Sequence, residues 1–221
     1  MPCALAGLPD ASYMAIRQFP LIAREGWPFI IVVLLTLIIS FRLSGLTMVL
    51  SCMVLLLALV LLFRDPQRDV PSKPLGVVSP VDGRVLDIAP TDKGALQRES
   101  MRFTLSVNHL GAYTVRSPTE GTVLNLMDNL AGGSRLLGTG GLWVRTDEQD
   151  DIVVLIKGPG GWARAKSFVG YGERLGQGQR FAFTRLASRV DVYVPANSKI
   201  VAKVGDRVLA GSDILSMIVH K

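Results

Sequence analysis

Two apolar runs near the amino terminus constrain this chain more than anything that follows them. Pro28 to Phe41 contains FIIVVLLTLIIS, and Leu46 to Phe63 forms a second apolar run beyond the polar turn Arg42-Leu43-Ser44-Gly45. The second run is about long enough to span a bilayer, while the first, at roughly 14 residues, is short for that task. Neither carries the polar face expected of a core helix pair in a water-soluble protein. The expected element is a helical membrane hairpin over residues 27–63, either spanning or re-entrant, behind an N-terminal segment over 1–26. The apolar stretch begins too far along, and ends without a small-residue cleavage site, to read as a secretory leader. Arg17 and Arg24 precede the hairpin and Arg64 and Arg68 follow it, against Arg42 alone at the turn. Positive charge therefore places both flanks on the cytoplasmic side of an inner membrane.

The formal net charge is +6, a balance that suits an anionic partner. No run of five or more basic residues accompanies it, which argues against a nucleic-acid arm and leaves anionic lipid as the better partner. Cys3 and Cys52 make no disulfide framework, one being in the tail and the other inside an apolar run. His109 and His220 lack the spacing of a metal pair, so no metal is expected.

From Asp65 onward the texture changes. Short runs of valine, isoleucine and leucine alternate with turn signals such as Asp82-Gly83, Glu120-Gly121 and Gly205-Asp206. That pattern predicts many short strands, and hence a mostly β domain over 64–221. The stretch from Gly132-Gly133-Ser134 to Gly140-Gly141 reads as loop. Ser79-Pro80-Val81-Asp82-Gly83-Arg84-Val85-Leu86 returns as Ser117-Pro118-Thr119-Glu120-Gly121-Thr122-Val123-Leu124, 38 residues later. Each copy is a turn feeding a strand. Lys203 to Leu215 repeats the style and looks like the β-hairpins of biotinyl or lipoyl modules. No lysine sits at a hairpin tip in the context that such an attached group requires.

Several segments taken in order carry a family resemblance. They are Glu25-Gly26-Trp27-Pro28, Phe63-Arg64-Asp65-Pro66, Ser79-Pro80-Val81-Asp82-Gly83, Arg116-Ser117-Pro118, Gly176-Gln177-Gly178-Gln179-Arg180-Phe181 and Ser188-Arg189-Val190-Asp191. Together they resemble the short bacterial form of phosphatidylserine decarboxylase, over about Glu25 to Met217. The resemblance implies self-cleavage between Ala187 and Ser188 by an N-to-O acyl shift and elimination, leaving Ser188 as a pyruvoyl cofactor. It implies decarboxylation of phosphatidylserine to phosphatidylethanolamine, with the pyruvoyl carbonyl as electron sink. Asp82 would orient or activate the maturation machinery, and Arg116 and Arg189 would bind substrate. The family's β domains commonly pair, so a homodimer is a further implication.

The chain departs from the family pattern in three places. Ala187 stands where glycine is usual, and an alanine forced to positive φ would cost about 1–2 kcal/mol. Tyr113 stands where the family has a catalytic histidine. Tyrosine, which ordinarily titrates near pH 10, is a poor base at neutrality, though it can donate a proton. His109 lies four residues upstream, roughly 13 Å along a continuous strand, and would need a bulge or turn, such as Gly111 could supply, to substitute. The Asn-Glu-Arg signature of the family is absent, with Arg145-Thr146-Asp147-Glu148 its nearest match. Two other readings stay open. One is a degenerate relative that is not cleaved and binds anionic phospholipid or a membrane partner. The other is a membrane-anchored β module of the adaptor kind.

Overall fold

The computed structural model describes residues 26–43, 45–66, 68–73, 75–92, 94–96, 98–108, 111–126, 140–158, 165–184 and 187–219. Two helices come first, α1 (Trp27–Leu43) and α2 (Leu46–Leu62), packed against each other as a hairpin. Nearly every side chain on them is a good helix former or β-branched, and the one proline, Pro28, sits in the first turn of α1, where its missing N–H has no intrahelical partner to lose. Helix α2 closes with the Phe63 N–H donating to the Leu59 carbonyl at 2.9 Å, and Pro66 follows before the helix can continue. Each helix has 17 residues, about 25 Å of rise against a hydrocarbon core of about 30 Å. No helix among the described residues is long and apolar enough to cross a membrane. The expectation of a bilayer-spanning element is corrected on that ground, whereas the helical hairpin itself is present.

The remainder is β, and no helix follows Leu62 among the described residues. The strands are β1 (Gly76–Val78), β2 (Gly83–Thr91), β3 (Ser100–Val107), β4 (Thr114–Arg116), β5 (Gly121–Leu126), β6 (Gly140–Arg145) and β7 (Asp151–Lys157), then β8 (Lys166–Ser167), β9 (Arg174–Leu175), β10 (Arg180–Phe183), β11 (Arg189–Pro195), β12 (Lys199–Ile200), β13 (Arg207–Val208) and β14 (Ile214–Met217). Eight form one sheet in the order β13-β2-β3-β11-β7-β6-β5-β9, and two three-stranded sheets run β1-β14-β12 and β4-β10-β8. Gly140-Gly141, expected in a loop, opens β6; the preceding residues of that glycine-rich stretch lie outside the described residues.

The faint repeat is the organising feature. Strand order in the large sheet reads as a palindrome about β11-β7, with β3 matching β6, β2 matching β5 and β13 matching β9. Ser79 Oγ donates to the Val81 carbonyl at 2.8 Å, and Ser117 Oγ donates to the Thr119 carbonyl at 2.7 Å. The copies bond each other reciprocally, Val78 N–H to Pro118 O at 2.8 Å and Arg116 N–H to Pro80 O at 2.9 Å. Gly83 lies opposite Val208 and Gly121 opposite Leu175. A Cβ would fall 1.8 Å from the Ser106 carbonyl at Gly83 and 2.3 Å from that of Arg145 at Gly121, so both turns demand glycine.

The two copies are nested rather than sequential. Strands β4–β10 form one contiguous half, while β1–β3 and β11–β14 form the other, separated in sequence by the first. Valines 190, 192 and 194 of β11, Phe103 and Leu105 of β3, Val154 and Ile156 of β7, Leu215 of β14 and Phe181 of β10 share one core. On the outer face of the large sheet, Ala95 and Leu96 cover Val153, Leu155 and Tyr193.

Candidate active site

Nesting creates two crossovers between the halves, one outgoing after β3 and one returning before β11. They run side by side, since the Thr184 N–H donates to the Tyr113 carbonyl at 2.9 Å. Asp82, Ala187, Ser188 and Arg189, four of the residues singled out from sequence, gather where these crossovers meet the end of β3. The Val107 N–H donates to the Ser188 carbonyl at 3.1 Å, and the next residue's N–H, on Asn108, donates to the Asp82 carbonyl at 2.8 Å. Asp82 and Ser188 therefore flank β3 from opposite sides, two strand spacings or about 10 Å apart.

Asp82 is buried, and its carboxylate is fully engaged. Oδ1 accepts the Ala210 N–H at 2.8 Å, while Oδ2 accepts the Ala112 N–H at 3.2 Å and the Arg68 guanidinium at 2.9 Å. One side chain thus ties the outgoing crossover, the β13–β14 turn and the chain leaving the hairpin. Gly111 permits this closeness, since a Cβ there would sit 2.9 Å from the Asp82 Cβ.

Ser188 is exposed at the lip of this junction, and Ala187 before it is buried in the core. The Ser188 hydroxyl lies 3.4 Å from the Lys157 carbonyl, which also accepts the Ser188 N–H at 2.9 Å. Gln149 is the one non-glycine residue at positive φ among those described. His109 lies outside the described residues.

Tyr113 is half-buried on the outgoing crossover. Its ring meets Phe183 with centroids 6.3 Å apart, Phe183 stacks on Phe63 at 6.1 Å, and Phe63 stacks on Phe29 at 5.9 Å. The aromatic column runs from the hairpin to the crossovers. Arg189 is exposed beside Ser188. Arg116 is placed differently from expectation, being 3% exposed. Its guanidinium donates to Asp65 Oδ1 at 3.3 Å, to the Pro66 carbonyl at 3.1 Å and to the Gly178 carbonyl at 3.2 Å. Arg180 meets the other oxygen of Asp65 at 2.8 Å. Burial pushes the Asp65 carboxyl up, against the opposing pull of Arg180 and Arg116. This triad clamps the hairpin exit to β4 and β10, and it gives Arg116 a scaffold role rather than contact with substrate.

Sequence reasoning missed Arg68, Lys157 and the clamp around Asp65. The signal for Asp65 was available, because an acidic residue between Arg64 and Pro66 at the end of an apolar run needs a cationic partner when buried.

Comparison with known proteins follows the same outline. No family model matches the chain. Curated relatives do, each named phosphatidylserine decarboxylase proenzyme. The one from Aromatoleum aromaticum is 34% identical over 205 residues, covering 89% of this chain and 95% of the relative. That from Nitrosomonas europaea is 34% identical over 209 residues, with the same coverage. A third, from Burkholderia ambifaria, is 31% identical over 208 residues, covering 89% of this chain and 96% of its own. The chain belongs to the phosphatidylserine decarboxylase family. As a member it is an enzyme of the carboxy-lyase kind. Among solved structures, glucose permease IIA from Mycoplasma capricolum aligns with 64% of this chain and 94% of its own, at 14% identity and a TM-score of 0.45. A likeness that slight carries no argument about the decarboxylase.

Proposed function

We infer that the chain cuts itself between Ala187 and Ser188 and then decarboxylates phosphatidylserine to phosphatidylethanolamine. The observation that carries this reading is the position of Ser188, exposed at the junction of two crossovers while Ala187 on its other side is locked into the core. Rotation about the Ser188 side chain brings Oγ onto the Ala187 carbonyl carbon, and the C–N bond gives way to an ester. Loss of the Ser188 α-proton then expels the Ala187 carboxylate. The resulting dehydroalanine takes up water and releases ammonia, which leaves a pyruvoyl group at residue 188. Asp82 serves this sequence by holding Ala112, and with it the outgoing crossover, against the end of β3.

A pyruvoyl group fits here, because residue 188 faces open space and β11 behind it is hydrogen-bonded on both sides, to β3 and to β7. When present, the group supplies a carbonyl that accepts the electron pair left as carbon dioxide departs. Arg189, adjacent and exposed, is suited to an anionic oxygen of the headgroup. Tyr113 offers a hydroxyl to return a proton to the substrate carbon.

The hairpin completes the reading. Phe41, Leu46 and Val54 are 76%, 74% and 68% exposed, an apolar surface far larger than water-soluble proteins usually present. At 17 residues each the two helices are short for a span, so the hairpin enters the inner membrane without crossing, and the arginines that flank it leave the β domain on the cytoplasmic face.

Intact mass of the purified protein tests the central claim. Wild type should give two chains, 1–187 and 188–221, the second blocked at its first residue, and Ser188→Ala should give one. A single wild-type chain of 23.9 kDa would remove the electron sink, and with it the decarboxylase reading.

A further inference from the structure

The ends of five strands put like charges in a row beside Ser188. Arg207 of β13 lies opposite Arg84 of β2, Arg84 opposite Ser106 of β3, Ser106 opposite Arg189 of β11, and Arg189 opposite Lys157 of β7. Residues directly opposite in antiparallel pairs share a face, so these side chains form one line across about 19 Å of sheet. The line is on the outer face, since Val190 and Leu105 point into the core. Arg207, Arg84 and Arg189 are exposed. Lys157 is neutralised by Asp191, whose Oδ2 accepts its ammonium at 2.6 Å. Asp206, next to Arg207, directs its carboxylate to the Lys203 N–H at 2.8 Å.

Like charges placed opposite each other cost stability. The nested duplication supplies an internal control for whether this cost is general to the scaffold. In the other half the matching row is Arg174, Thr122, Arg145 and Asp151. There Arg145 donates to Asp151 at 2.8 Å, and Arg174 is paired with Asp147. Every arginine of that row has a carboxylate. None of the three in the row beside Ser188 has one among the described residues. The same backbone thus carries a neutralised row in one copy and an uncompensated one in the copy that holds the reactive serine.

We propose that Arg207, Arg84 and Arg189 form a docking strip for the anionic phospholipid headgroups of the bilayer surface. The strip lies at the end of the domain from which the hairpin emerges, because Arg68, just past α2, bonds Asp82, two residues before Arg84. Apolar insertion and headgroup contact would then act at one end of the molecule, with Ser188 next to Arg189 of the strip. The proposal builds on the hairpin as a membrane element and adds a second, electrostatic contact.

The test uses the full-length protein and vesicles of neutral phosphatidylcholine, alone or with three parts in ten phosphatidylglycerol. Arg84→Gln/Arg207→Gln is compared with wild type, and thermal unfolding checks that both are folded. Wild type should prefer the anionic vesicles, and the double variant should lose about 30-fold of that preference, the effect of two basic residues at an anionic surface. Its binding to neutral vesicles should be unchanged. A variant that keeps the preference, or a wild type that has none, overturns the strip. So does loss of the preference in inorganic phosphate at matched ionic strength, which would indicate a site for the free ion. Failure of the hairpin reading shows separately, as absence of binding to the neutral vesicles.

Discussion

The carbonyl oxygen of Lys157 accepts both the amide N–H of Ser188, at 2.9 Å, and its hydroxyl, at 3.4 Å. The first bond registers β11 against β7. The second is near the outer limit for a hydrogen bond and holds the hydroxyl weakly enough to swing toward Ala187. Maturation would expel the Ser188 nitrogen as ammonia and so delete the stronger of the two.

The severed piece should nevertheless stay in place. Strand β11 pairs with β3 over seven residues and with β7 over five, while β14 pairs with β1 and β13 with β2. Loss of one hydrogen bond costs about 1 kcal/mol, small beside that. Chains 1–187 and 188–221 should co-elute in size exclusion and separate only in denaturant. Separation under native conditions would show that the ladder does not hold them.

Ala187→Gly should bring no gain in cleavage. The alanine is buried in the core, so glycine there removes a packed methyl group and adds chain freedom. The substitution should lower stability by about 1 kcal/mol through unfolded-state entropy, with the cleavage half-time within a few-fold of wild type on a gel time course. A large acceleration would mean the reactive conformation differs from the one described.

Asp65→Asn should be among the most damaging single changes outside the junction. It would leave Arg116 and Arg180 buried at 3% and 12% side-chain exposure with no carboxylate between them. Breaking such a group by removing one partner costs about 3–5 kcal/mol. Denaturant titration should show it, and Asp65→Asn combined with Arg180→Met should recover part of the loss. Full additivity of the two would deny the clamp.

Tyr193 provides the pH dependence. Burial, reinforced by Asp191, pushes its phenol up, while Arg102 opposes the shift. A phenol that is harder to ionise when folded lends stability that is complete below the unfolded value of about 10. That stability is lost as pH rises from there through the folded value. Urea midpoints measured between pH 8 and 11.5 should fall more steeply for wild type than for Tyr193→Phe. Parallel curves would sink the assignment.

Much of this architecture was written in the primary structure, and the remainder was hidden for a physical reason. The turn signals at Asp82-Gly83 and Glu120-Gly121 announced the β domain and its repeat, because a strand passing that close to a neighbouring carbonyl admits only glycine. The Ser-Arg-Val-Asp run marked the junction. Hidden were the contacts set by register. Arg207 and Arg84 are 123 positions apart in the chain and opposite each other in the sheet, and no periodicity reports that. Arg116 was expected at substrate only through the family resemblance, and the approach of Asp65 from the hairpin exit explains why it is buried. The apolar runs were legible as helices, with ends within two residues of α1 and α2, and about one turn of helix decides whether a bilayer can be crossed.

Nesting one copy inside the other has a consequence for when the chain can act. The inner copy, β4–β10, is contiguous and can assemble while later residues are still being synthesised. The outer copy cannot, since β1 waits for β14 at Ile214–Met217 and β3 waits for β11. Ser188 reaches its place beside Val107 only once nearly the whole chain has left the ribosome. On the proposed reading that the chain cuts itself between Ala187 and Ser188, thread order alone would hold scission back until β11 is seated between β3 and β7.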